Sequence, residues 1–370
     1  MEEFGKITII GMGLIGGSIA LTLKKSKYMG QIIGCDISMA TLIEAKGMGI
    51  IDTYYKEPSE AVKDADLIIM AVPVGYYAEI FKEISPYISS NAIITDVGSV
   101  KEYVEIMASK YLSFEIQFIG GHPMAGSEKG GIRAATSSLY ENAYYFLTPN
   151  ERTSQDTIEK LKKLVKNLGA YPVVITANEH DKIVAQISHI PHLTAVMLTN
   201  LLKKNNDTSY LSFVGGGFRD STRIASGNPY MWQDIFLFNK KEVLSSIKVL
   251  EDMLKDFRIK LEEENTTQIL TILKDAKEIR DKIPHAISKD YIPPTYDLII
   301  NAEDRPGILG ELTQIIGKNQ INIKEIEILH AREGQEGAIR IALESKEEQE
   351  KAYEILKNGS FPLTYRKDVD

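Results

Sequence analysis

One cysteine, Cys35, and one tryptophan, Trp232, stand in 370 residues. A lone thiol forms no intrachain disulfide framework and no multi-cysteine zinc site, and this usage fits a reducing, cytoplasmic setting. Positive charge is also short. Against 51 Asp and Glu there are 43 Lys and Arg, a formal charge of −8, so phosphate backbones and anionic lipid meet a repelling surface. Neither a nucleic-acid nor a membrane partner is expected. The one segment that resembles a targeting or membrane signal is Ile7 to Leu23, 17 uncharged residues between Lys6 and Lys24. It follows Glu2 and Glu3 instead of a basic stretch and contains four glycines, whereas a membrane span needs about 20 apolar residues. What remains is an ordinary globular composition, 44% hydrophobic and 25% charged. At roughly 150 residues per domain, the length suggests two or three domains.

Lys6 to Ile10 is a β-branched run, Gly11-Met-Gly13-Leu-Ile-Gly16-Gly17 follows at once, and Ser18 to Lys25 carries a helical pattern. Further strands are predicted at Gln31 to Asp36, Leu67 to Val72 and Ala92 to Thr95. Their alternation with helical stretches predicts an α/β fold, a Rossmann-like, doubly wound, mostly parallel sheet. It continues through Phe118-Ile119, Ala143 to Leu147, a helix around Ile158 to Leu168, and Pro172 to Ile175. From about Asn178 to Ile283 an all-α domain is expected, with helices Ile183 to Leu202, Asp234 to Leu261 and Thr267 to Lys282. Loops are placed at Gly215-Gly216-Gly217 and Ser226 to Pro229. Pro284 to Pro294, with three prolines, reads as a linker. Beyond it the pattern is strand Tyr296 to Asn301, helix Gly307 to Lys318, strand Ile321 to Leu329, turn Glu333 to Gly337, strand Ala338 to Glu344, helix Glu347 to Lys357 and strand Pro362 to Arg366. This βαββαβ order is ferredoxin-like and small, suited to regulation or pairing. The expected domains are 1–178, 179–283 and 295–370, with the linker at 284–294.

Gly11-x-Gly13-x-x-Gly16 sits between strand and helix, and Asp36 follows Gly16 by 20 residues at the end of the next strand. That context marks a dinucleotide fingerprint: Gly11 for the turn, Gly13 for close approach of the pyrophosphate, Gly16 for helix packing, and the helix N-terminus for the anion. Leu14, Ile15, Val72 and Pro73 are expected to line the same site. Asp36 suits ribose hydroxyls, and no Arg follows it to hold a 2′-phosphate, so the expected cofactor is NAD. Ser99 and His122 both follow strands, at the carboxyl edge where ligands bind in such sheets. His122 reads either as the base that takes a hydroxyl proton while hydride leaves, or as a loop histidine capping a backbone group. His189-Ile-Pro-His192 tempts a zinc reading, which fails because no second close pair of ligands exists. One of these imidazoles pairing with an anionic substrate is the better reading. Arg219 and Arg223, after three glycines, offer carboxylate binding, although a surface ion pair is the commoner fate of an arginine. Trp232 reads as core or interface.

With these motifs the chain resembles the prephenate dehydrogenase family. GMGLIGGS, DVGSVK, GGHPMAGSEKGG, SHIPH, GGGFRDSTRIA and NPYMWQDIF stand in the family's order, and the last 75 or so residues are similar to an ACT domain, a small-molecule-sensing module. The resemblance implies oxidative decarboxylation of prephenate to 4-hydroxyphenylpyruvate with NAD, on the tyrosine pathway. It implies that His122 takes the ring hydroxyl proton, Ser99 orients His122 and the hydroxyl, and Arg223 binds the ring carboxylate. His192, the Gly216 backbone and His189 would complete the substrate site, with Glu128 at its mouth and Trp232 closing it from a partner subunit of a homodimer. Because aromatisation drives loss of carbon dioxide, the chemistry asks for no metal. In the ACT module, Asp304, Pro306, Gly307, Ile308, Leu309, Asn322 and Ile323 are implied to hold an effector, tyrosine, where two modules pair.

Two other readings remain at this point. β-Hydroxyacid dehydrogenases also join a Rossmann domain to helices, but use a helical lysine where this chain has His189 and His192. A non-catalytic sensor of NAD and an amino acid would have no use for His122, Ser99 and Arg223 together. If Asp36 selects the cofactor, the enzyme prefers NAD to NADP strongly and Asp36→Ala narrows the gap. Comparison of kcat/KM for the two cofactors checks this, and equal values in the parent enzyme contradict it.

Overall fold

The computed structural model describes residues 3–126, 130–204, 208–283, 296–302, 305–329, 337–357, 359, 361 and 364–367. By its contacts the chain divides into two compact units, Met1–Ile283 and Pro284–Asp370. The expected linker lies outside the described residues.

In the first unit β1 (Lys6–Ile10), β2 (Gln31–Cys35), β3 (Thr53–Tyr55), β4 (Leu67–Met70), β5 (Ile93–Asp96), β6 (Gln117–Pro123), β7 (Tyr144–Thr148) and β8 (Tyr171–Val174) form one sheet. Their order is β3-β2-β1-β4-β5-β6-β7-β8. Helices cover both faces, so β4, in the middle of the sheet, is apolar on both sides. Along β4, Leu67 and Ile69 join one core with Ile7, Ile9, Ile19 and Leu164, while Ile68 and Met70 join the opposite one with Ile94, Phe81 and Val104.

The first six strands are parallel, and β7 pairs antiparallel with β6. A parallel partner would need a crossover of a dozen or more residues, usually an α-helix. Between β6 and β7 the described residues hold only the short 3-10 turn Ile132–Ala134. The expected sheet omitted β3, whose three residues are too few for an alternating pattern to register.

The expected helix Ile183 to Leu202 is divided: Ala177–Val184 is followed by a π-helical turn, Ala185–His189, and then by Ile190–Lys204. His189 ends the π-helical turn, and both it and His192, three residues on, are buried. The expected helix Asp234 to Leu261 is likewise two, Pro229–Phe238 and Lys240–Glu262, broken at Asn239. The glycine run is not a loop throughout, since Gly215 caps a short helix, Gly216–Thr222. Thr266–Lys282 completes the unit. No described helix is long and apolar enough to cross a membrane.

The second unit has β9 (Tyr296–Ala302), β10 (Ile323–Leu329), β11 (Gly337–Leu343) and β12 (Thr364–Lys367), with helices Ile308–Lys318 and Lys346–Lys357. Its sheet order is β10-β11-β9-β12, with every adjacent pair antiparallel. Leu298, Ile300, Leu312, Ile316, Ile341 and Leu356 are among its core residues. Apart from Gly337, the expected turn at Glu333 to Gly337 lies outside the described residues.

Candidate active site

The loop after β1 is shaped for a phosphate-bearing ligand. Gly11 has φ +101°, and a Cβ there would lie 2.3 Å from the carbonyl oxygen of Ala71. At Gly16 a Cβ would lie 2.0 Å from the Gly11 oxygen, whereas at Gly13 it would meet nothing within 4 Å. Two glycines are therefore required by the protein itself, and the third leaves open room before the helix Leu14–Lys25. No side chain caps that helix at Gly13, so its first N–H groups, including those near Leu14 and Ile15, remain for an anion. Asp36 accepts from the N–H of Met12 and from that of Ser38, both at 2.9 Å, which ties the carboxylate to the loop. Val72 and Pro73 follow β4, and the Val72 side chain lies beside Gly11. These residues fit a dinucleotide.

Farther along the same edge, Lys101 and Asp96 form an ion pair with no exposed side-chain surface. Lys101 also donates to the Gly121 oxygen at 2.6 Å, and Asp96 accepts from the N–H groups of Gly98 at 2.8 Å and Gly121 at 2.9 Å. Burial pushes Asp96 up and Lys101 down, each opposed by the other's charge. The pair holds the loop of Ser99 against the residue that precedes His122.

Nδ1 of His122 lies 2.8 Å from Nε2 of His180, and Nδ1 of His180 lies 2.8 Å from Oδ1 of Asp181. Asp181 also accepts the backbone N–H of Lys101 at 2.8 Å and of Glu102 at 2.9 Å. Two N–H donors hold it as a carboxylate against the upward push of burial. The tautomers follow from this polarity. His180 donates from Nδ1 to Asp181 and accepts at Nε2, so His122 donates from Nδ1 and keeps a lone pair on Nε2. Burial, then His180 and Lys101, hold His122 well below the ordinary imidazole range, and burial lowers His180 to about 2. A neutral imidazole with an unprotonated Nε2 is a proton acceptor.

His192 stacks on Trp232, with ring centroids 3.6 Å apart and planes 8° apart, and His189 meets the same indole edge-on at 6.1 Å. Gly227 backs the stack, since a Cβ there would lie 2.6 Å from the indole nitrogen. Trp232 thus packs on its own chain's His192. The helix Ile190–Lys204, which carries His192, packs against Gly216–Thr222 and against the 3-10 turn Arg223–Ser226, the elements that begin with Gly216 and Arg223. Ser99 is half-buried, and among the described residues no hydrogen bond joins it to His122, whose Nδ1 meets His180. Glu128 lies outside the described residues.

Sequence reading missed His180, Asp181 and Asn239. A His-Asp dipeptide early in a helix has no motif signature, and its place behind His122 arises from a contact across 58 positions.

In the second unit, Gly307 (φ +90°) precedes the helix Ile308–Lys318, with Pro306, Ile308 and Leu309 around it, and Asp304 lies outside the described residues. Asn322 and Ile323 are at the other end of the sheet: Ile323 aligns through Leu343 with Tyr296, whereas the Gly307 loop follows Ala302. At about 3.3 Å per residue, a seven-residue strand puts roughly 20 Å between them. One module does not bring these stretches together.

Fold and site define a dinucleotide-dependent dehydrogenase. Residues 19–174 match the model for the prephenate dehydrogenase nucleotide-binding domain, 176–275 the prephenate dehydrogenase dimerization domain, and 296–358 the ACT domain. A prephenate dehydrogenase of Bacillus subtilis (strain 168) is 38% identical over 354 residues, 95% of each chain. One of Lactococcus lactis subsp. cremoris (strain MG1363) is 35% identical over 362 residues, 96% of this chain and 98% of that one. The crystal structure of prephenate dehydrogenase from A. aeolicus, in complex with hydroxyphenyl propionate and NAD+, superposes with a TM-score of 0.71 at 32% identity, covering 75% of this chain and 98% of that one. The chain belongs to the prephenate dehydrogenase family.

If His180 sets the tautomer of His122, His180→Phe removes the acceptor while Asp181 keeps both backbone partners. The kcat is expected to fall by about 10- to 10⁴-fold, between the loss of a partner that orients a ligating imidazole and the loss of the group that sets a catalytic imidazole's tautomer. The KM for the dinucleotide should not change. Steady-state kinetics beside the parent enzyme check this, and an unchanged kcat would contradict the relay.

Proposed function

We propose that this enzyme converts prephenate and NAD to 4-hydroxyphenylpyruvate, carbon dioxide and NADH, in the cytoplasm, as a homodimer. The carrying observation is the His122–His180–Asp181 chain at the sheet edge that also bears the dinucleotide loop. NAD, when bound, supplies the hydride acceptor; Gly13 and the helix N-terminus would hold its pyrophosphate and Asp36 its ribose.

Nε2 of His122 takes the ring hydroxyl proton as hydride leaves the same carbon. Loss of the ring carboxylate as carbon dioxide then makes the ring aromatic, and His122 returns the proton to the phenolate oxygen. Atoms and charge balance with no further reactant. Arg223 holds the ring carboxylate, His192 and the Gly216 backbone hold the side chain, and Ser99 orients the hydroxyl. Proton transfer needs neutral His122, so activity is lost as pH falls through its pKa, which burial has depressed. We expect NADH formation with prephenate, and a kcat that stays level as pH falls through the ordinary imidazole value near 6.5. Absorbance of NADH across a pH series, with chemistry shown to be rate-limiting, checks both. No NADH from prephenate overturns the reaction, and an acid limb centred near 6.5 overturns the depressed base.

Exposed Met197, Leu201, Leu244, Met253, Leu254 and Leu273 on the long helices support pairing with a second copy, because an apolar surface of this extent is costly to leave in water. A second copy also suits the separated effector stretches of the ACT module. Tyrosine inhibition through that module requires tyrosine to favour a less active arrangement, since a ligand without differential affinity shifts nothing. A chain ending at Ile283, assayed beside Gly307→Asp, should remain active and lose tyrosine sensitivity. Full sensitivity in both would move the regulatory site elsewhere.

A further inference from the structure

Asn239, buried at the break between the helices Pro229–Phe238 and Lys240–Glu262, turns one amide nitrogen toward two acceptors. Its Nδ2 lies 2.9 Å from the backbone oxygen of Asp181 and 3.2 Å from Nδ1 of His189. A backbone oxygen only accepts, so the NH2 group must face it. The same NH2 group faces Nδ1 of His189, which therefore accepts as well. In the neutral ring the proton then sits on Nε2. Burial lowers His189 to about 4, so the ring is neutral near pH 7. That Nε2 is buried, as is Nδ1 of His192, and neither has a hydrogen-bond partner among the described residues. A buried N–H without an acceptor is a cost that a bound oxygen removes.

We propose that His189 donates its Nε2–H to a carboxylate or carbonyl oxygen of the substrate, and that Asn239 is the positioning residue that fixes this tautomer. The assignment rests on the prephenate reading and deepens it by giving His189 a polarity opposite to that of His122. His122 presents a lone pair on Nε2, and His189 presents a proton. Both settings originate at Asp181, whose carboxylate acts through His180 and whose backbone oxygen acts through Asn239.

The test combines ring-nitrogen NMR of 15N-histidine enzyme with steady-state kinetics. Asn239→Asp keeps the shape and reverses the polarity, because an aspartate oxygen accepts from Nδ1–H and moves the proton off Nε2. The parent is expected to show His189 protonated on Nε2, identified by the loss of its signals in His189→Gln, and Asn239→Asp is expected to show it on Nδ1. The KM for prephenate should rise by about 5- to 15-fold in Asn239→Asp and in His189→Ala, as for one lost hydrogen bond. His189→Gln, whose amide can donate, should recover most of the loss. The kcat should change much less than KM, and the KM for NAD should stay at the parent value, which a merely structural defect would not spare. A parent ring protonated on Nδ1, or a parent-like prephenate KM in His189→Ala, overturns the proposal even if Asn239→Asp does not fold. Failure of the parent to turn over prephenate overturns the reaction and this assignment together, whereas turnover with unaffected variants overturns this assignment alone.

Discussion

The carboxylate of Asp181 is the contact on which the site depends. It accepts the backbone N–H groups of Lys101 and Glu102, at the start of a helix, Glu102–Tyr111, that has no side-chain cap from its own N-cap residue. A negative group at a helix N-terminus satisfies unpaired donors and meets the positive end of the helix dipole. The same oxygen that receives Lys101 also receives His180. One side chain therefore joins the helical region to the loop after β5 and sets the polarity of the imidazole chain. Without it, the N–H groups of Lys101, buried, and Glu102, half-buried, would lose their acceptor and His180 could carry its proton on either nitrogen.

The Lys101–Asp96 pair performs a second, mechanical task. A buried ion pair is weak evidence for net stability, because removing two charges from water offsets their attraction. Its value here is positional. Its contacts reach Gly98 on one side and both backbone groups of Gly121 on the other, which leaves the backbone around Ser99 and His122 little freedom. The positive charge of Lys101 also opposes protonation of His122 and His180. A single pair thus serves both geometry and charge state.

Much of the fold was legible because its signals are local. The strand, glycine turn and helix of residues 6–25 occupy neighbouring positions, and each step has its own residue preference. The same holds for the βαββαβ unit. The failures mark where local preference yields to tertiary contact. The long helices divide at Ala185–His189 and at Asn239, although their apolar periodicity continues, because His189 and Asn239 turn inward to a buried polar cluster. The direction of β7 was hidden because a strand's pattern states which faces are buried and not which way it runs beside its neighbour.

His122, expected to follow its strand, lies within β6 and pairs with Phe146. By itself the sequence determined the dinucleotide loop, the acid at the end of β2, the low positive charge and the place of Ser99 beyond β5. These follow from residue type and from spacings of a few positions. Only the tertiary structure decided that His180 meets Nδ1 of His122, that Asn239 faces His189, and that Trp232 stacks on its own chain's His192. Only the tertiary structure set the Gly307 loop and the Asn322–Ile323 stretch at opposite ends of one sheet. The reason is physical: a hydrogen bond between side chains 50 or 58 positions apart leaves no periodic trace in the chain, and its polarity depends on which groups lie on the far side of each ring.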